Sequence, residues 1–302
     1  MKKRLAVVAV IAAIAATSAS GAATAKACDR ACRIAAANTY LAALVSHDGS
    51  QVPAAKDVNR VENGGDSADG ADDLRAGLEA PIMYVITGIR DLHWYVDGPN
   101  AVSTYLLDTV SSPTYIVERF RIGDDGLIRD IRANFFIDIP GYVQGPESVP
   151  SRADGVVERF TAASHGPLGP VPVSEGDAGD DAARNASACG RTCVSAAADR
   201  WLRALSSHAG ASVPLTRDAV LRVNRRTVAA GEAAARATIA SPNGIAQVRE
   251  VEVAVDGDHA VAMYTLRTKG GDDIHGAVHL RVVGGRIASA DAVCDANETC
   301  TG

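Results

Sequence analysis

Residues 28–63, CDRACRIAAANTYLAALVSHDGSQVPAAKDVNRVEN, return at 189–224 as CGRTCVSAAADRWLRALSSHAGASVPLTRDAVLRVN. Aligned without a gap, the two stretches agree at 16 of 36 positions, including both cysteines, the AAA run, Ser46-His47, Gly49, Val52-Pro53, Asp57 and Asn63. The chain is a tandem repeat, and a period of about 160 residues is too long for a solenoid unit, so each copy has the size of a domain with its own core.

Outward from the repeat, Met1-Lys2-Lys3-Arg4 is basic, Leu5 to Ala16 is apolar, and Ala25-Lys26-Ala27 has the spacing of a cleavage site. This pattern predicts a signal peptide over 1–27 and a secreted or periplasmic product. A lipoprotein with Cys28 first after the cut is the competing form; Lys26 before it and the missing leucine at the third position speak against it. Cleavage removes Lys2, Lys3, Arg4 and Lys26 but no acidic residue, taking the net charge from −6 to −10. Such a surface repels nucleic acid and anionic membrane, and no second apolar run has spanning length. The expected partners therefore exclude nucleic acid, and exclude membrane once the signal is removed.

Six cysteines in an exported chain suit disulfides. They stand as Cys28/Cys32, Cys189/Cys193 and Cys294/Cys300, and the simplest pairing ties the start of the second copy to its end through Cys189, Cys193, Cys294 and Cys300. Zinc is the competing use, but the spacing is not that of a two-residue knuckle. No metal and no cofactor are expected.

Each copy opens with a helix, over 33–46 in the first, where Ala36, Tyr40, Ala43 and Leu44 share a face. Asp57 to Asn63 reads as a short helix or strand, ENGGDSADGADD over 62–73 as a loop, and Leu74 to Ile86 as another short helix. The period then changes to that of strands at 87–97, 100–108, 115–122 and 127–136, and the second copy repeats the plan near 247–255, 260–267, 275–283 and 286–293. Residues 139–187, rich in Pro, Gly, Asp and Ser, read as a linker between domains at 28–138 and 188–302.

The stretches YLAALVSHDGSQVP (40–53), VENG (61–64) and YIVERFRIGDDGLIRDIRANF (115–135) resemble the nuclear transport factor 2-like superfamily in its SnoaL-like branch, nearest to a group of unassigned function with the pattern ALxxHDxxxxPLAxxVxxxENG. The resemblance implies an α+β fold: two tandem cone-shaped domains, each with helices packed on a curved, four-stranded, mostly antiparallel sheet around an apolar pocket. It also implies association through the outer sheet faces, which two fused copies satisfy as an internal pseudo-dimer.

Strand parity separates inward from outward residues. Leu92, Trp94 and Val96 form one row, matched by Val251, Val253 and Val255, and His93 and Tyr95 face the other way. The row Glu118, Phe120, Ile122 aligns with Val278, Leu280, Val282, and Glu62 aligns with Val223. Two carboxylates of copy one thus become valines in copy two. A buried carboxylate is costly and its pKa rises, which is the arrangement an acid/base site uses. Copy one is therefore the candidate working pocket and copy two its degenerate partner.

The catalytic candidates are Glu62, Glu118, His47 and Asn63, with Tyr84, Trp94, Tyr105 and Phe120 as substrate-binding wall around a small apolar molecule. The competing role for Glu118 is an ion pair with Arg119, Arg121 or Arg129; for Glu62, a loop carboxylate or a one-residue alignment slip; for His47, repeated as His208, a helix-terminal contact. The family's steroid isomerases carry a catalytic Asp in a V-E-D-P stretch, and Asn63 stands at that position here. His275 and His279 share a strand face without a third metal ligand. Two functions follow: a cofactor-independent isomerase, lyase, hydratase or cyclase, or a non-catalytic ligand-binding or protein-interaction module.

Overall fold

The structure, a computed structural model, describes residues 27–80, 83, 85–110, 113–136, 189–241 and 244–295. All but the last residue of the expected signal peptide, the 139–187 linker, Tyr84 and Cys300 lie outside the described residues.

Copy one runs α1 (Arg30–Ser46), β1 (Ala54–Glu62), β2 (Gly65–Asp69), α2 (Ala71–Glu79), β3 (Ile86–Asp97), β4 (Asn100–Thr109), β5 (Thr114–Ile122) and β6 (Ile128–Phe135). Copy two repeats it as α3 (Arg191–Ser207), β7 (Leu215–Val223), β8 (Arg226–Ala230), α4 (Glu232–Ala240), β9 (Ile245–Asp256), β10 (His259–Thr268), β11 (Asp273–Val283) and β12 (Arg286–Cys294). The Asp29 side chain caps α1 by accepting from Cys32 N at 3.1 Å, satisfying a donor that a helix N-terminus leaves unpaired. The helix stops at His47, which is left-handed (φ 56°) and returns its N–H to Ala43 O. Gly49 recurs as Gly210 because a Cβ there would stand 2.9 Å from the Arg75 backbone in one copy and 2.2 Å from the Arg236 carbonyl in the other.

Each sheet has six strands, not the expected four, in the orders β2-β1-β6-β5-β4-β3 and β8-β7-β12-β11-β10-β9. The added pair is the β1–β2 hairpin, joined to the meander by parallel pairing of β1 with β6. The stretch expected to be loop at 62–73 holds the turn Asn63-Gly64, both left-handed (φ 44° and 79°), then β2 and the first residues of α2. A two-residue turn of this hand matches the twist of a hairpin. Because β2 is a mostly exposed edge strand, its composition is that of a loop.

The inward row of β3, Leu92, Trp94 and Val96, joins the core under α1, together with Tyr40, Phe120 and Ile122. In copy two Val253 and Val255 do the same, but Val251 is 44% exposed and leaves the expected row. There β9 places Glu250 and Val251 against the single residue Tyr264, a bulge centred on the left-handed Glu250 (φ 51°) that turns the chain outward.

The cysteine pairing also differs from expectation: Cys28 bonds Cys32 and Cys189 bonds Cys193. Four residues apart at a helix start, their Cα atoms are 5.2 and 5.3 Å apart, which a disulfide spans without moving the backbone. Cys294 is disulfide-bonded as well, and no described cysteine is free.

The outer faces of the two sheets pack on each other through Tyr95, Val102 and Val117 of copy one and Ala254, Val261, Met263, Ala277 and Val293 of copy two. Reciprocal contacts flank this seam. Asp97 accepts from Val255 N and Arg191, while Asp256 accepts from Val96 N and Arg30. Such an exchange of equivalent partners is the mark of an isologous two-fold.

Candidate functional site

Cross-strand register places Glu62, Ala133, Glu118 and Ser103 in one row across β1, β6, β5 and β4. The same row in copy two reads Val223, Ala292, Val278 and Ala262. The register therefore pairs Glu62 with Val223, with no slip, and both carboxylates of copy one have valine counterparts. They lie two strands apart, about 10 Å between backbones at the usual strand spacing.

Glu118 is completely buried. Tyr105, diagonal to it on β4, donates its hydroxyl to Oε2 at 2.7 Å. Oε1 has no hydrogen-bond partner among the described residues and lies 3.9 Å from a guanidinium nitrogen of Arg60. Arg60 in turn holds Glu62 at 2.5 Å, so one cation on β1 spans both carboxylates. Burial pushes the Glu118 carboxyl up to about 7, against the lowering effect of Arg60 and of the Tyr105 hydroxyl. Burial likewise raises Tyr105 and Tyr40 well above the ordinary phenol range. Burial opposes the Arg60 charge, but Glu62, Tyr40 and Glu118 outweigh it and keep the guanidinium protonated.

Tyr40 comes from α1, with its ring 5.8 Å from the Arg60 guanidinium and edge-on to Phe120 at 5.2 Å. Its buried hydroxyl makes no well-formed hydrogen bond among the described residues, as is true of Arg60 Nε and Trp94 Nε1, but it lies close enough to Glu118 to help lower that carboxyl and close enough to Arg60 to be lowered by it. The Glu62 side chain is 33% exposed and that of Arg60 13%, so the cluster runs from solvent at Glu62 to the fully buried Glu118. A carboxyl near 7 is divided between acid and base at neutral pH, and Oε1, with only the long Arg60 contact, is the oxygen through which Glu118 can exchange a proton.

The structure brings Glu62, Glu118, Tyr105 and Phe120 together, with Trp94 behind Phe120 at 6.0 Å. Asn63 is committed elsewhere. Its carboxamide donates to Phe135 O and accepts from Phe135 N, both at 3.0 Å, and Asn224 repeats this with Cys294. This explains why the asparagine stands in both copies: it continues the β1–β6 pairing past the strand end. His47 is the left-handed cap of α1, its ring lowered by burial, and lies about 10 Å along the helix axis from Tyr40 at the usual rise. Tyr84 lies outside the described residues.

The expected ionic partners of Glu118 are replaced by Arg60. Arg119 faces the domain seam, where it meets Asp130 and Glu252, and Arg129 pairs with Asp125. Tyr40 and Arg60 are the site residues that sequence reasoning missed. The signal was available: they align with Trp201 and Leu221, the same loss of polarity as Glu62 to Val223. Among the described residues no group of three or more His, Cys, Asp or Glu is placed to hold a metal ion. His275 contacts Thr265 Oγ1 at 3.3 Å and His279 pairs with His259.

Residues 26–135 match a family described as a domain of unknown function, DUF8021. No curated protein matches the chain. Solved structures similar to it include an NTF2-like protein of unknown function from Mesorhizobium loti, 23% identical over 35% of this chain and 93% of that one, at a TM-score of 0.30. A protein from Sphaerobacter thermophilus is 24% identical over 35% and 96% of the two chains, at 0.30. An LEH-like epoxide hydrolase of M. tuberculosis is 18% identical over 34% and 84%, at 0.31.

Proposed function

We propose that copy one is a proton-transfer site of an exported, cofactor-independent enzyme, an isomerase, lyase, hydratase or cyclase acting on a small apolar molecule. Glu118 is the acid/base. Tyr105 holds its Oε2 and leaves Oε1 to the substrate; the Tyr40 hydroxyl is the donor to a developing oxyanion; Arg60 and Glu62 close the solvent side. The observation that carries this reading is the buried Glu118, whose Oε1 makes no well-formed hydrogen bond and meets only the long contact with Arg60, in a row whose equivalents in copy two are wholly apolar. Buried polar atoms without partners are rare, and an unused one invites a ligand. Copy two supplies support.

The test is proton exchange. A panel of small ketones and phenolic compounds is incubated in deuterium oxide, and label next to the carbonyl or on the ring is followed by NMR. Enzyme-dependent exchange that Glu118→Gln abolishes supports the reading; exchange equal in wild type and variant sinks it.

A binding or interaction module remains the second reading, favoured by the complete burial of Tyr40 and Phe120 against each other in the copy-one core. In that case Glu118 and its neighbours form a structural polar network, and no compound in the panel exchanges.

A further inference from the structure

Two grooves flank the seam between the sheets, exchanged by the same two-fold that relates Asp97 to Asp256, and they are unequal. The smaller, about 430 Å³, is crossed by ion pairs. Arg119 and Arg132 of copy one both hold Glu252 of copy two, at 2.9 and 3.3 Å, and Arg119 also meets Asp130. The strand registers give the counterparts in the larger groove, about 810 Å³. His279 stands for Arg119, Asp291 for Arg132, His93 for Glu252 and Ser289 for Asp130. The shorter side chains turn back into copy two: His279 Nε2 meets His259 Nδ1 at 2.9 Å, and Asp291 is taken by Arg222 at 2.9 Å.

The groove this opens has an aromatic floor and two exposed arginines, Arg225 and Arg281, in its lining. Tyr95 lies tilted against both imidazoles, with ring centroids at 4.9 and 5.3 Å, and the imidazoles meet edge to edge through their 2.9 Å nitrogen contact, nearly in one plane. Every carboxylate in its lining already has an arginine within ion-pair distance: Asp91 has Arg90, Asp256 has Arg30, Asp258 has Arg281, and Asp291 has Arg222. Arg225, exposed on the β7–β8 turn, has no partner among the described residues. Arg281 is 58% exposed and only 3.7 Å from its carboxylate, leaving most of its donors available. His93 is exposed at the same opening.

We infer that this groove binds a small aromatic carboxylate, its ring on the Tyr95–His279–His259 floor and its carboxylate between Arg225 and Arg281. A guanidinium fork matches a planar carboxylate in two parallel hydrogen bonds, and a flat ring suits an aromatic floor. Burial, together with His259, His93 and Arg281, lowers His279 to about 3, so that imidazole stays uncharged at neutral pH. The site is separate from Glu118: Thr104 and Leu106 line the groove, while Tyr105 between them points through the opposite sheet face.

The test is calorimetric titration of the full chain with sodium benzoate, with inorganic phosphate and sodium chloride at equal ionic strength as the other arms. Benzoate binds, phosphate and chloride do not, and Arg225→Ala and Arg281→Ala each weaken binding about tenfold, the worth of one charge-assisted hydrogen bond. The double variant His93→Glu with His279→Arg recreates the Arg119–Glu252 pair of the small groove across the floor; it loses benzoate, and circular dichroism confirms that it is folded. Benzoate heats equal to those of chloride, binding unchanged in both alanine variants, or phosphate binding as tightly as benzoate overturns the assignment.

Discussion

The Tyr105 hydroxyl donates to Glu118 Oε2 at 2.7 Å, while Tyr264, its equivalent in copy two, lies over Gly276, diagonal to the Val278 that stands in place of that carboxyl. The tyrosine is kept in both copies, but its partner is present in one. Its buried hydroxyl in copy two has no hydrogen-bond partner among the described residues. The polar site is therefore a property of copy one and not of the shared fold.

Replacing Tyr105 by Phe removes the donor that lowers the Glu118 pKa. The carboxyl of Tyr105→Phe is expected to titrate above that of the wild type, with a loss of about 1–2 kcal/mol in stability from the buried acceptor left unpaired. Carboxyl NMR and denaturant unfolding read the two effects.

Glu118 links stability to pH. With its folded pKa raised from the ordinary glutamate value of 4.5 to about 7, the folded state holds a proton that the unfolded state has lost between these values. Stability therefore falls as pH rises through this window. Relative to Glu118→Gln, the wild type should lose on the order of 1–3 kcal/mol between pH 4.5 and 7.5. Thermal melts of the pair across that range check the sign: a constant difference contradicts it.

His279 works in the opposite direction. Lowered to about 3 by burial and by its neighbours, it stays neutral while the unfolded chain takes up a proton. Wild type should lose stability relative to His279→Gln as pH falls below about 6.5, by up to about 1.4 kcal/mol per pH unit. The comparison isolates this group from Glu118, whose contribution has the opposite slope.

Arg60→Leu, the copy-two residue, strands two carboxylates beside an apolar side chain. A loss of about 3 kcal/mol is expected, with a further rise in the Glu118 pKa. The triple change Arg60→Leu, Glu62→Val, Glu118→Val transplants the copy-two set and should restore or exceed wild-type stability, because apolar replacement of a buried ionic cluster is commonly neutral or favourable. Unfolding curves of the two variants decide this; a triple variant weaker than the single one refutes it.

Much of this was legible in the chain because it carries its own comparison. The aligned copies exposed Glu62 and Glu118 as exchanges to valine, and strand parity placed Glu118, Phe120 and Ile122 in one buried row, all fully enclosed. What parity could not give was pairing at a distance. The parallel contact of β1 with β6 joins segments some seventy residues apart, so nothing local announces it, and Arg60 enters the site only through that contact. The β2 strand hid because an edge strand in water has the composition of a loop, although Asn63-Gly64 is a strong hairpin signal. Asn63 drew attention as a site residue because it stands where the resembled steroid isomerases carry a catalytic Asp; its recurrence in both copies reflects instead its backbone role at Phe135 and, as Asn224, at Cys294.

The most direct measurement is the titration of Glu118 itself, by carbon-13 NMR of the glutamate side-chain carboxyls in the full chain, assigned with Glu118→Gln. A resonance titrating near 7, lost in the variant, is the predicted result. A Glu118 resonance titrating near 4.5, with the other carboxyls, would contradict a proton-exchanging site in copy one.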